Sequence, residues 1–183
     1  MTFKNSGIVN LTAFKMSPHV GTHADAPVHI QGDLETDSGK ASDLGLEAFL
    51  GPVRVVDIAP HTKAIELSEL EEKLDGQFPE RILFKTRHRI RYDKFEDDYS
   101  YVSEELAQAL SDSSVKLIGL DTPSVDHVDS KDLKSHHILH EGGLVWLENL
   151  DLTAVDEGDY TLVALPLKLE ELEASPVRAI LIS

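Results

Sequence analysis

The stretch Ser17-Pro-His19-Val-Gly-Thr-His23-Ala-Asp25-Ala-Pro27-Val-His29 constrains this chain more than any other part of it. Its three histidines and its aspartate all occupy odd positions. The even positions hold Val20, Thr22, Ala24, Ala26 and Val28. In extended chain, alternate side chains share a face. His19, His23, Asp25 and His29 therefore point one way and the small residues the other. A helix is excluded because Gly21 and Pro27 interrupt it. Strand rise is ~3.3 Å per residue, which puts His23 and Asp25 ~6.6 Å apart at the backbone, close enough for one ion. His19 and His23 would be ~13 Å apart in a straight strand, too far to share an ion bound at ~2 Å. His19 joins only if the chain bends at Gly21. Pro27 likewise turns the chain before His29.

A histidine beside a carboxylate is ordinarily a surface pair, but four such residues on one face point to a metal. The chain has no cysteine, so thiolate zinc, iron–sulfur, disulfide and cysteine-nucleophile chemistry are excluded. Imidazole and carboxylate suit zinc, manganese or iron(II). The spacing is not that of the helical H-E-x-x-H zinc site. A second cluster lies at His136-His-Ile-Leu-His140-Glu141, with Glu148 following in an apolar run. On a helix, His136 pairs with His140 and His137 with Glu141, and the spacing does not choose between them. Buried glutamates are rare unless paired or metal-bound, which singles out Glu148.

Apolar runs alternate with amphipathic segments. Strands are expected at Gly7–Phe14, Val53–Ile58, Arg81–Thr86, Val115–Leu120, Leu144–Leu147, Tyr160–Leu169 and Val177–Ile182. Helices are expected at Leu44–Leu50, stopped by Gly51, and at Ser68–Leu74, where S-E-L-E suggests a capping box. Two more are expected at Ser103–Leu110 and Ser130–His140. This interleaving predicts a mixed α/β fold, with residues 1–183 as one domain. Thr86–Tyr101 lacks a pattern and reads as solvated surface, with a loop over a site as the alternative. Its Arg87, His88, Arg89 and Arg91 read as balancing Asp93, Glu96, Asp97 and Asp98, the alternative being an anchor for a substrate carboxylate.

Lysine plus arginine number 17 and aspartate plus glutamate 33, a formal charge of −16. That field disfavours nucleic acid and anionic membranes as partners. No run reaches the ~20 apolar residues of a membrane span, and no apolar signal core is present. A cytoplasmic location is the expectation.

His19-x-Gly-Thr-His-x-Asp-x-Pro-x-His29 resembles the signature of the metal-dependent cyclase-like hydrolases. Further stretches resemble the bacterial kynurenine formamidase (arylformamidase) branch in the same order. They include Gly119-Leu-Asp-Thr-Pro-Ser-Val-Asp126, Ser130-Lys-Asp-Leu-Lys-Ser-His136, Trp146-Leu-Glu-Asn-Leu and Ser175-Pro-Val-Arg-Ala-Ile-Leu. The resemblance implies a β-barrel-like mixed sheet flanked by helices, usually as a homodimer. It implies one zinc on His19, His23 and Asp25, with Asp25 bridging to a second metal on His136 and Glu148. His29 matches the family's proton-transfer histidine. Substrate-binding residues are not implied, and manganese is the alternative metal. The family carries a longer N-terminus with a substrate-contacting tryptophan. Here eighteen residues precede His19 without one, and the single tryptophan, Trp146, lies in the Glu148 motif.

The implied reaction is hydrolysis of N-formyl-L-kynurenine to L-kynurenine and formate in tryptophan catabolism. The alternatives are another small-amide or cyclic-amide hydrolase, such as an isatin hydrolase, and an inactive metal-binding homologue. A serine hydrolase built on Ser124, Asp126 and His127 fails: near-consecutive residues do not converge, and no G-x-S-x-G elbow is present.

Overall fold

The computed structural model describes residues 2–60 and 63–183. In chain order its strands are β1 (His23–Asp25), β2 (Leu50–Asp57), β3 (Ala64–Ile65), β4 (Arg81–Lys85), β5 (Tyr101–Val102), β6 (Leu117–Leu120), β7 (Val145–Glu148), β8 (Gly158–Val163), β9 (Ala174–Pro176) and β10 (Ile180–Ile182). The helices are the four-residue α1 (Phe3–Ser6), then α2 (Leu67–Leu74), α3 (Glu104–Ser111) and α4 (Lys134–Glu141). Eight strands form one mixed sheet in the order β10-β8-β2-β4-β6-β7-β1-β9, and β3 pairs with β5 separately. The four central strands β2, β4, β6 and β7 run parallel, and the flanking pairs are antiparallel. The sheet curls as a half-barrel whose free edges are β10 and β9.

The central strands carry apolar side chains on both faces, as strands covered on both sides do. Ile82, Phe84, Ile118, Leu120 and Trp146 pack on one face with Leu70, Leu106, Leu110 and Leu139 of the helices. Leu83, Leu117 and Leu147 face the other way, with Val53, Val55 and Leu162. Each such side chain contributes about 1.5–3 kcal/mol when fully buried. That seats α3 and α4 firmly and fixes the register of β7. Ser103 caps α3, its hydroxyl accepting from Leu106 N at 3.1 Å.

Several expectations are corrected. Residues 7–17 form no strand. Ile8 and Phe14 are 79% and 87% exposed, so the apolar side chains of this segment are not part of the core. The segment 44–50 is not an α-helix. It holds one 3-10 turn, Leu46–Phe49, preceded by another at Ala41–Asp43, and Gly51 lies inside β2 instead of stopping a helix. Glu66, not Ser68, caps α2: Glu66 N donates to Glu69 at 2.9 Å in a reciprocal box. The helix expected from Ser130 starts only at Lys134, and the strand from Tyr160 stops at Val163. In 177–182 only Ile180–Ile182 is strand, while β3, β5 and β9 were not anticipated.

Arg81 ties the start of β4 to the turn before β2. It is buried, with Nε donating to Ala48 O at 2.7 Å, Nη2 to Glu47 O at 2.7 Å and Nη1 to Pro52 O at 3.3 Å. Gly51 gives it room: φ there is +136°, and a Cβ would lie 2.9 Å from Arg81 Nη1. Arg81→Met leaves the partly buried Glu47, Ala48 and Pro52 carbonyls without their charged donor. A loss of about 3 kcal/mol in unfolding free energy is expected by urea denaturation.

Candidate metal centre

Pairing of β1 between β7 and β9 builds this centre. The β1–β7 register sets His23 opposite Glu148, which brings the two sequence clusters together. His23 and Asp25 are both buried on one side of β1, and Ala24 enters the core on the other, as the odd–even pattern predicts. Gly21, at φ +72°, bends the chain. His19 Nδ1 comes to 3.1 Å from His23 Nε2 instead of continuing along the strand. Pro27–His29 is a 3-10 turn that returns the His29 ring to 4.4 Å from that of His19, centre to centre. The extended segment is therefore only three residues long.

Asp25 is the shared member. Its Oδ2 accepts from Trp146 Nε1 at 3.0 Å and lies 3.7 Å from His136 Nε2 and 3.9 Å from His29 Nε2. Its Oδ1 lies 3.1 Å from His19 Nδ1 and 3.4 Å from His23 Nε2, yet is buried with no hydrogen bond among the described residues. Glu148 sits between the two inner histidines, 3.4 Å from His23 Nε2 and 3.6 Å from His136 Nε2, and accepts from Val125 N at 3.0 Å. Among the described residues, two groups have donor atoms within 4.8 Å of one another: His19, His23 and Asp25, and Asp25, His29 and His136. Position thus places His29 as near Asp25 as a ligand, alongside its expected role in proton transfer. His136 is the buried histidine of α4, and His137 and His140 are only partly covered.

Each inner imidazole is oriented from behind. His23 Nδ1 donates to Gly21 O at 2.9 Å, and His136 Nδ1 contacts Asp126 Oδ2 at 2.6 Å. Both Nε2 atoms then face the carboxylates, an arrangement typical of metal-ligating histidine. Sequence reasoning did not single out Asp126 for this. Its carboxylate also accepts from Ser135 N at 3.1 Å and His136 N at 3.0 Å, so it caps α4 from nine residues upstream. The residue at the cap position, Leu133, is left-handed (φ 46°) and has no side chain to do so. Trp146 and Glu173 were missed as neighbours too. Glu173 Oε1 lies 3.3 Å from His19 Nε2. No local spacing signals any of the three.

The electrostatics suit a cation. Burial disfavours charge on His23 and His136, but the Asp25, Glu148 and Asp126 carboxylates outweigh it and push them to about 10 and about 11. Burial works against the Asp25 charge also, and its histidine neighbours prevail, holding it well below the ordinary range. The more open His29 is lowered by burial, which the Asp25 charge only partly offsets. Without metal, protons supply the positive charge that two buried carboxylates demand. A divalent ion supplies the same charge and displaces those protons. With the orphaned Asp25 Oδ1, this donor set fits metal.

Beside His19 opens a cavity of about 640 Å³, lined also by Thr22, Arg87, Phe95, Pro123 and Leu150. Arg87 to Glu96, within the pattern-free Thr86–Tyr101 segment, form one wall of this cavity.

Asp126→Asn removes the charge from three short hydrogen bonds at the start of α4. Metal-stripped protein carrying it is expected to lose about 2–3 kcal/mol in denaturant unfolding. In the unsubstituted protein, burial raises the Asp126 pKa but the His136 and backbone hydrogen bonds lower it further. This contribution is therefore present above the ordinary aspartate pKa of about 4 and is lost as pH falls through the lower folded value.

The sequence profile of the family described as "Putative cyclase" matches residues 2–127. The kynurenine formamidase of Bacillus cytotoxicus is 42% identical over 181 residues, covering 98% of this chain and 83% of that protein. A solved structure described as a predicted metal-dependent hydrolase from Bacillus stearothermophilus superposes with a TM-score of 0.78 at 30% identity, over 96% of this chain and 82% of its own. Isatin hydrolase A from Labrenzia aggregata superposes with a TM-score of 0.82 over 98% of this chain and 79% of its own, at 23% identity, a likeness of fold alone. A profile spanning more than half the chain, and a relative above 40% identity along nearly all of it, show that the chain belongs to the putative cyclase family.

Proposed function

We propose that this chain is a metal-dependent arylformamidase that hydrolyses N-formyl-L-kynurenine to L-kynurenine and formate, with residues 1–183 acting as one catalytic domain. The observation that carries this reading is the buried Asp25 carboxylate, shared by two histidine groups, in a chain 42% identical to a kynurenine formamidase. His19, His23 and Asp25 would hold one divalent ion. Asp25, His136 and Glu148 would hold a second. Zinc is the first candidate and manganese the next, since both accept imidazole and carboxylate. Bound there, the ions supply Lewis acidity that activates water and neutralises charge on the formyl oxygen.

The remaining chemistry belongs to the chain. A formyl anilide needs a proton removed from the attacking water and a proton delivered to the departing nitrogen. His29 does both: its side chain is 32% exposed, enough to reach a substrate, while Asp25 lies 3.9 Å behind its Nε2. As water adds to the formyl carbon, His29 takes its proton. As the C–N bond breaks, His29 gives that proton to the arylamine. Asp126 and the Gly21 carbonyl keep His136 and His23 in one orientation throughout.

No helix among the described residues is long and apolar enough to cross a membrane, and we read the enzyme as cytoplasmic. Exposed Phe14, Leu167, Ile180 and Ile182 offer apolar surface for a homodimer.

The deciding assay is hydrolysis of N-formylkynurenine by protein stripped with chelator and then restored with zinc or manganese, with isatin as a parallel substrate. Turnover of the formamide that disappears on stripping and returns with metal is expected. Activity on isatin alone would transfer the chain to the cyclic-amide hydrolases. His29→Ala is expected to keep its metal by elemental analysis and to lose 10²–10⁴-fold in kcat. Asp25→Ala is expected to lose both metal and activity. Two tightly held ions in that variant would contradict the bridging role.

A further inference from the structure

Arg87 Nη2 is buried, and it has no hydrogen-bond partner among the described residues. A guanidinium donor in that state is costly unless an anion meets it. The side chain is 13% exposed and lines the 640 Å³ cavity beside His19. Among the described residues its only ion pair is a loose one, Nη1 to Glu96 at 3.5 Å. Its backbone is held in place: Asp121 Oδ2 accepts from Arg87 N at 3.0 Å, and the same carboxylate accepts from Thr86 N at 2.9 Å and Thr86 Oγ1 at 2.6 Å.

Arg91, Asp121 and Asp151, which also line the cavity, are engaged with neighbouring groups. Arg91 is paired with Asp93 through Nε at 3.1 Å and Nη2 at 2.7 Å. Asp121 serves the Thr86 and Arg87 backbone. Asp151 accepts from Tyr92 Oη at 2.5 Å and from Thr153 Oγ1 at 2.6 Å. Lys94, on the same wall, is exposed. Arg87 is thus the desolvated cation of this cavity, in a chain whose formal charge is −16. A planar guanidinium with an unpaired donor recognises a carboxylate.

We propose that Arg87 is the carboxylate-binding residue of the substrate cavity, so that the enzyme selects aryl amides whose side chain ends in a carboxylate. This rests on the formamidase reading, because N-formylkynurenine carries such a carboxylate at the end remote from its formyl group. The formyl end then lies toward His19 and the carboxylate end toward Arg87. Specificity for the amino-acid portion comes from the loop after β4, while the histidine cluster is indifferent to it.

The test separates binding from turnover. Metal-loaded enzyme is titrated calorimetrically with benzoylpropionate, an aryl keto acid, and with its methyl ester. Wild type is expected to bind the acid at least tenfold more tightly than the ester. Arg87→Met is expected to lose that preference and Arg87→Lys to recover part of it. Equal binding of acid and ester by wild type overturns the proposal. So does an acid preference that survives in Arg87→Met, since the carboxylate would then sit on another cation. In turnover, Arg87→Met should raise KM for N-formylkynurenine at least tenfold with kcat little changed. Hydrolysis of formanilide, which has no carboxylate, should be unaffected. An equal fall on both substrates overturns the assignment. If wild type fails on N-formylkynurenine but shows the Arg87-dependent acid preference, the formamidase reading falls and the carboxylate site stands.

Discussion

Two carboxylates buried within hydrogen-bonding reach of the same histidines dominate the energetics of this protein. Asp25 and Glu148 are both almost fully covered, and among the described residues neither is paired with a lysine or arginine. Charge in such a place is tolerated only when matched. The match comes from His23 and His136 when protonated, and from divalent metal in the working enzyme we propose. Much of the surrounding architecture holds these four side chains in register. Trp146 donates to Asp25 from the neighbouring strand, Val125 N donates to Glu148, and Asp126 holds both the backbone and the ring of His136.

That dependence explains why the sheet is mixed. A purely parallel sheet would leave β7 as an edge with Glu148 facing an open flank. Antiparallel β1 covers that edge and carries His23 and Asp25 to it, and β9 covers β1 in turn. Helix α4 delivers His136 from the adjacent face, seated by the same apolar layer that fixes β7. Three distant parts of the chain thus meet at one carboxylate, and each is held by packing on residues that take no part in chemistry.

The cavity is built on a different logic. Its wall is the irregular segment after β4, anchored at one end by Asp121 and tied near its middle by Tyr92 to Asp151. Regular strands and helices hold most of the candidate ligands, His19 and His29 excepted, while a loop shapes the space beside them. Loops of this kind can change without disturbing the sheet. Among hydrolases of one fold, substrate choice is then free to vary while the histidine cluster stays the same.

The alternation of histidine and small apolar residues determined by itself that His23 and Asp25 share a face opposite Ala24, because side-chain period in extended chain is a local property. Gly21 and Pro27 likewise announced the turns that return His19 and His29, and the apolar runs marked the central strands. The tertiary structure decided what local rules do not reach. In the second cluster, helical spacing left His136, His137 and His140 equivalent, and only the packing of α4 against β7 buries His136. Asp126 was unreadable as a cap because it acts across a loop, in place of an N-cap residue that has no polar side chain. Gly7–Phe14 read as a strand from its apolar run, yet it forms none and its side chains are exposed. The same limit applied to Arg87: its neighbours in sequence read first as a solvated basic loop, and the folded chain shows that the residue lines a cavity and that its buried Nη2 has no hydrogen-bond partner among the described residues.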